Sequence, residues 1–141
     1  MSKKRKAKKK ARKLQKQWAL AMKSGHVVVM KKIRKKWRVL TVKAKGRWTL
    51  PGGQLDGEAS HKGAAREVRE ETGLKVKLGR LFHQTALYGA GKVSRIHKAI
   101  LKGKAKLKLQ ADEIKCAVWR TVKGARSKLI KRHVKAVLAL A

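Results

Sequence analysis

Apolar and polar positions change period several times along this 141-residue chain, and each change marks an element. Ala7, Ala11, Leu14, Trp18 and Met22 recur at helical spacing and predict a basic amphipathic helix ending near Ser24-Gly25, where glycine is a common stop signal. Its apolar stripe is expected to dock on the domain. His26 to Met30 reads as a short strand, Lys31 to Lys36 as a basic turn, and Trp37 to Lys43 as a second, alternating strand. Lys45-Gly46 is a turn and Arg47 to Leu50 is extended. Pro51-Gly52-Gly53 contains the only proline and predicts an abrupt loop.

Beyond that loop, Ser60 is placed to cap a helix over about His61 to Thr72, which Gly73 ends. Leu74 to Leu87 is mostly extended, Gly89 to Gly91 a turn, and Val93 to Leu101 a strand. Gly103 to Gln110 is a basic connection. Ile114 to Trp119 is near-continuously apolar, as in a strand buried on both faces. From about Ala125, Leu129 or Ile130, Val134, Val137 and Leu138 mark one amphipathic helix running to the end. Strands, helix, strands, helix predict an α/β fold with a mixed sheet between helices. The length suits a single domain over 25–141, preceded by a basic tail and helix over 1–24.

Charge changes the picture. The formal net charge is +34, from 41 Lys and Arg against 7 Asp and Glu. Eleven of the cations and none of the acids fall before residue 24, so the remainder is still strongly basic. Such a surface attracts polyanions, and nucleic acid is an expected partner through both the basic surface and the tail. The competing reading is generic solvated lysine. Lys3-Lys4-Arg5-Lys6 resembles a nuclear import signal. The lone Cys116 excludes an internal disulfide, fits a reducing compartment such as the cytoplasm, and reads as a small buried apolar residue. No apolar run approaches a membrane span.

Five of the seven acids lie between Asp56 and Glu71. Glu67, Glu70 and Glu71 stand at i, i+3 and i+4 and share one helix face, with Glu58 in the preceding loop. Clustered carboxylates repel one another unless a cation joins them. Oxygen donors suit Mg2+ or Mn2+, which keep waters and substrate phosphates as further ligands. That chemistry points to hydrolysis of a diphosphate, with metal neutralising the phosphates and activating water, and a nearby glutamate taking its proton.

Gly52, five residues, Glu58, seven residues, Arg66-Glu67-Val68, one residue, Glu70-Glu71, one residue, Gly73-Leu74 resembles the complete Nudix box over 23 residues. Trp48-Thr49-Leu50-Pro51-Gly52-Gly53 before it resembles the segment that leads into the box in that family. The resemblance implies an α/β/α sandwich and Mg2+-dependent hydrolysis of a nucleoside diphosphate linked to another group. It implies Glu67, Glu70 and Glu71 as metal ligands, with Glu67 or a loop acid assisting proton removal. Glu58 would contribute partly through water, Arg66 would hold the glutamates, and the Gly52 carbonyl would complete a metal shell. Some family members add an acid from outside the box, a role that Glu113 fits by position; Asp112 beside it is the other candidate.

Substrate signals are sparser. No proline follows Pro51, so the downstream proline of ADP-ribose hydrolases is missing, as is the NADH-type motif. Tyr88 falls short of the tyrosine position linked to dinucleoside polyphosphates. Trp37, Trp48 and Trp119 are either base-stacking groups or core. The five histidines show no ligand spacing. The expected function is pyrophosphohydrolysis of a nucleotide, a nucleoside diphosphate derivative, or an RNA 5′ polyphosphate or cap. The alternative is a Nudix-fold nucleic-acid-binding or ribonucleoprotein component in which hydrolysis is incidental.

Overall fold

The computed structural model describes residues 2–10, 22–86, 93–103, 106–110 and 112–141. Residues 3–10 are helical (α1). The middle of the expected N-terminal helix, the Gly89 to Gly91 turn and Tyr88 lie outside the described residues. The strands are β1 Met22–Ile33, β2 Lys36–Ala44, β3 Arg47–Thr49, β4 Gly52–Gln54, β5 Leu78–Ala86, β6 Val93–Ile100 and β7 Ile114–Thr121. Helices α2 Ser60–Thr72, α3 Val122–Lys128 and α4 Lys131–Leu140 complete the fold.

One seven-stranded mixed sheet runs β3-β2-β1-β6-β5, with β4 also on β1 and β7 also on β2. The β1–β6 pair is parallel, from Met22 opposite Val93 to Met30 opposite Ile100; the others are antiparallel. Successive residues of a strand face opposite sides, so the run Val27 to Met30 feeds two cores. Val28 and Met30 pack with Val39, Leu50 and Ile96 beneath Ala125 of α3 and Ala136, Val137 and Leu140 of α4. Val27 and Val29 pack with Leu40, Val42 and Ile114 beneath Ala64 and Val68 of α2. The sheet is therefore covered on both faces, as the α/β reading expected.

Several local expectations change. The N-terminal helix does not reach Ser24-Gly25: β1 begins at Met22, because Ser24, Gly25 and His26 bond to both β4 and β6. Pairing with a strand some seventy residues away overrides local periodicity. Gly52 and Gly53 lie not in a loop but in the short strand β4, after a bend at Pro51. Ala59, not Ser60, is the N-cap of α2, and it offers no side-chain bond; the Ser60 hydroxyl instead lies 3.0 Å from His97 Nε2. β7 is half-exposed beyond Ile114, because it is an edge strand with β2 as its one partner. Cys116 on it is only partly buried. The C-terminal helix is two helices. Leu129 turns to an extended conformation, bridges to Trp48 and buries its side chain, and the Ile130 N–H bonds the Trp48 carbonyl at 3.1 Å.

Two contacts fix the segment that leads into β4. His133 of α4 is fully buried, and its Nδ1 accepts the Leu50 N–H at 2.9 Å. Its ring lies 4.6 Å from that of His26 on β1. Two residues on from Leu50, Gly52 has φ 149°, and a Cβ there would meet the Gly25 carbonyl oxygen at 2.3 Å and His26 Cα at 2.5 Å. Both neighbours are backbone, so neither can yield.

Gly52→Ala should therefore cost at least about 2 kcal/mol in urea unfolding; an unchanged midpoint would remove the close approach. Burial, followed by the nearby charges of His26 and Arg132, holds the His133 pKa well below 6.5. The unfolded imidazole takes up a proton near pH 6.5 while the folded one does not, so native stability from His133 is lost as pH falls below 6.5. Between pH 7 and pH 5 the stability difference between the natural chain and His133→Gln should shift by about 2 kcal/mol against the natural chain. Parallel pH profiles for the two proteins would rule this out.

Candidate active site

Helix α2 presents two faces. Ala64 and Val68 go into the core. Glu67, Glu70 and Glu71 lie on the side toward β4. Gly73 ends the helix at φ 75°, and its N–H bonds the Arg69 carbonyl at 2.8 Å. The connection between β6 and β7 runs alongside the last turn: the Lys108 N–H bonds the Thr72 carbonyl and the Gln110 N–H bonds the Glu71 carbonyl. That strap carries the chain to the turn at Asp112 and Glu113.

Glu71 is only 5% exposed, and its Oε1 accepts the Gly52 N–H at 2.7 Å. This bond joins α2 to β4. Burial pushes the Glu71 pKa up to about 8; the Gly52 bond opposes the rise, while the charges of Glu67, Glu113 and Glu70 add to it. Glu67 is also raised, by burial first, with Arg66 pulling the other way. A Cβ on Gly53 would lie 2.7 Å from Glu67 Oε2, so glycine there leaves the space that the carboxylate fills.

Arg66 sits amid the acids. Its Nη1 donates to Glu67 Oε1 at 3.0 Å and to Glu70 Oε1 at 3.0 Å. Its Nη2 donates to Glu58 Oε1 at 2.5 Å, and Asp56 is 3.6 Å away. The hydrogen bonds from Arg66 hold the Glu58 carboxyl below its ordinary range. In return, Glu58 and Glu70 hold the guanidinium firmly protonated. Among the described residues, no ion pair lies outside this cluster.

A cleft of about 430 Å³ opens beside the Gly52–Gly53 strand. Asp56, Glu67, Glu70 and Glu113 line it, and Lys45 is the one cation among the described residues on its wall. The structure thus brings Gly52, Glu67, Glu70 and Glu113 to one cleft. Glu71 lies behind Gly52, Arg66 links the carboxylates, and Glu58 is drawn onto Arg66. No three His, Cys, Asp or Glu among the described residues are arranged in this structure to close around one ion. The reason is visible in the bonds above: a guanidinium sits between Glu58, Glu67 and Glu70. The donors are nonetheless all oxygen, and a buried carboxyl whose charge is disfavoured lies beside them.

Lys45 and Gln110 reach the cleft without any signal in the sequence. Lys45 is a turn residue with φ 51°, and its place depends on β2 pairing with β3. Of the tryptophans, Trp37 is exposed, whereas Trp48 and Trp119 pack against the two cores. Arg120 lies 4.4 Å over the Trp48 ring. No described helix is long and apolar enough to cross a membrane.

Comparison with known proteins bears out the fold and gives the family. The family model described as NUDIX domain matches residues 21–139. No curated protein matches the chain in sequence. Among solved structures, a C. elegans Ap4A hydrolase in a binary complex superposes with a TM-score of 0.75 at 21% identity, covering 83% of this chain and 94% of that one. The E. coli dihydroneopterin triphosphate pyrophosphohydrolase gives 0.67 at 18% identity, covering 84% and 93%. The MutT protein of Methanosarcina mazei Go1 gives 0.66 at 21% identity, covering 84% and 91%. With the family match spanning most of its length, and the glutamate-bearing helix set against a Gly-Gly strand, the chain belongs to the NUDIX domain family of hydrolases.

Proposed function

We propose that the protein is a Mg2+-dependent pyrophosphohydrolase that cleaves a diphosphate linkage in a nucleotide, a nucleoside diphosphate derivative, or an RNA 5′ polyphosphate or cap. The observation that carries this reading is the buried Glu71 carboxyl. It is held against the Gly52 N–H beside Glu67, in a site lined by four acids and one lysine on a chain of net charge +34. Burying a carboxylate without a cation is costly, and a divalent cation would relieve that cost. Carboxylate and carbonyl oxygens fit Mg2+ or Mn2+.

Glu67, Glu70 and Glu71 would hold the ion, with the Gly52 carbonyl and, partly through water, Glu58. When bound, the ion neutralises diphosphate charge and makes water a stronger nucleophile toward phosphorus. The chain's own groups do the rest. Arg66 orients Glu67 and Glu70 by charge-assisted bonds and exchanges some of them when a cation enters. Glu67 or Glu113 accepts the proton of the attacking water. Lys45, alone among acids on the cleft wall, draws a substrate phosphate inward. Substrate classes named for the structural neighbours, dinucleoside polyphosphates and pterin triphosphates, belong in the test panel alongside nucleoside triphosphates, ADP-ribose and triphosphorylated RNA.

Glu70→Gln or Glu71→Gln should lower Mg2+-dependent phosphate release from the best substrate by roughly 100-fold or more. Gln at position 71 keeps an oxygen for the Gly52 N–H, so the fold should persist. Release at the natural rate would remove both glutamates from the mechanism. Millimolar Mg2+ should also raise Tm by several degrees, since an ion at about 100 times its Kd adds about 2.7 kcal/mol. That shift should shrink in Glu71→Gln. No shift for the natural chain in differential scanning fluorimetry would count against a metal at this site.

A further inference from the structure

Two adjoining grooves at the far end of β1 and β6 have no part in the cleft. The larger, about 700 Å³, is lined by Lys77, Arg80, Leu81, Lys98, Ile100 and Lys102. The smaller, about 430 Å³, shares Ile100 and Lys102 and continues to Lys31, Lys32 and Trp37. Met30 pairs with Ile100 and Lys32 with Trp37, so the surface crosses the sheet over β2, β1, β6 and β5. On β1 it begins at Lys31, about 17 Å along the strand from His26, which pairs with Gly52.

Three features point to a ligand. Six cations gather here, no acid lines either groove, and none of the six has an acidic partner among the described residues. Large apolar groups stand exposed among them: Trp37 at 46%, Leu81 at 66% and Ile100 at 50%. And β5 bulges between Leu78 and Phe82, where four residue steps on β5 span two on β6. That bulge pushes Gly79 to Leu81 out of the ladder and shapes the groove at a sheet edge.

We infer that this groove pair binds single-stranded nucleic acid, with the phosphodiester backbone along Lys77, Arg80, Lys98, Lys102 and Lys32 and a base stacked on Trp37; Lys31, whose ammonium lies 5.9 Å over the Trp119 ring, borders the track. Unpaired cations on a track supply the sequence-independent affinity, and an exposed indole supplies a stacking platform that duplex bases cannot use. The site is separate from the hydrolase reading and does not need a 5′ phosphate.

The test is fluorescence anisotropy on the full chain with 5′-hydroxyl, 3′-fluorescein oligouridylate and oligothymidylate of about 12 nucleotides. These probes carry no polyphosphate, so the result is independent of catalysis. Arg80→Gln/Lys98→Gln/Lys102→Gln should weaken binding about tenfold or more and flatten the log–log salt slope by roughly 0.7 for each cation removed. Trp37→Ala should weaken it roughly fivefold or more while leaving the slope unchanged. Circular dichroism and Tm should match the natural chain for both variants. An equal loss in Lys123→Gln/Arg126→Gln/Lys128→Gln, on α3, would overturn the proposal by showing diffuse charge attraction. So would loss of all binding on neutralising Lys3, Lys4, Arg5 and Lys6 with no effect of the groove variants. Groove variants that lose adhesion to phosphatidylserine vesicles but keep the oligonucleotides would overturn it in favour of a lipid surface.

Discussion

The hydrogen bond from the Gly52 N–H to the buried Glu71 carboxyl is the constraint on which the rest of the site depends. It joins a helix to a three-residue strand that is otherwise paired to β1. Through its carbonyl, Glu71 also receives the Gln110 N–H, which leads the chain to Glu113. One residue therefore sets the distance between α2, β4 and the strap before β7. A carboxyl is an expensive choice for a buried joint, since desolvation disfavours its charged form. An amide would make the same bond without that penalty. On the proposed reading, the acid serves the cation rather than the joint.

Around that joint, charge is arranged against the trend of the molecule. The surface is overwhelmingly cationic, yet four of the seven acids are gathered on Arg66. The guanidinium does locally what an ion would do: it relieves the repulsion of Glu58, Glu67 and Glu70 by sitting between them. Its planar fork can serve several carboxylates at once, which a lysine ammonium could not do with the same geometry. The carboxylates are thus held ready as a set, and their spacing is governed by one side chain.

The helix-borne part of this arrangement was legible in the sequence because it is local. Spacing along one helix places Glu67, Glu70 and Glu71, and Arg66 is their neighbour in the chain. The two-sided sheet was also legible, from the order of strands, helix, strands and helix, although the strand read as buried on both faces, Ile114 to Trp119, is the half-exposed edge strand β7. What the sequence concealed depends on partners far away in the chain. The strand character of Met22 to Gly25 comes from β4 and β6, and that of Gly52–Gly53 from β1. The break at Leu129 comes from Trp48, and the histidine that fixes Leu50 lies on the last helix. Lys45 reaches the cleft only because a turn of φ 51° folds β3 onto β2. Ser60 had the right chemistry for a cap but sits one position too late, its hydroxyl turned to His97.

The parallel pairing of β1 with β6 carries a kinetic consequence. The central strand of the sheet is synthesised well before the neighbour that completes one of its edges, which ends at Ile100. Until the seventy residues from Met30 to its partner Ile100 have also left the ribosome, Val27 to Met30 present an apolar ribbon with an open edge. Antiparallel β2 can zip onto β1 at once through a tight turn, but the other side waits for a crossover that includes α2 and β5. Folding limited by such a distant contact is slow, and the waiting hairpin is vulnerable to misassociation. The dense positive charge that flanks these strands, in Lys31, Lys32, Lys35 and Lys36, would keep nascent copies apart during that interval.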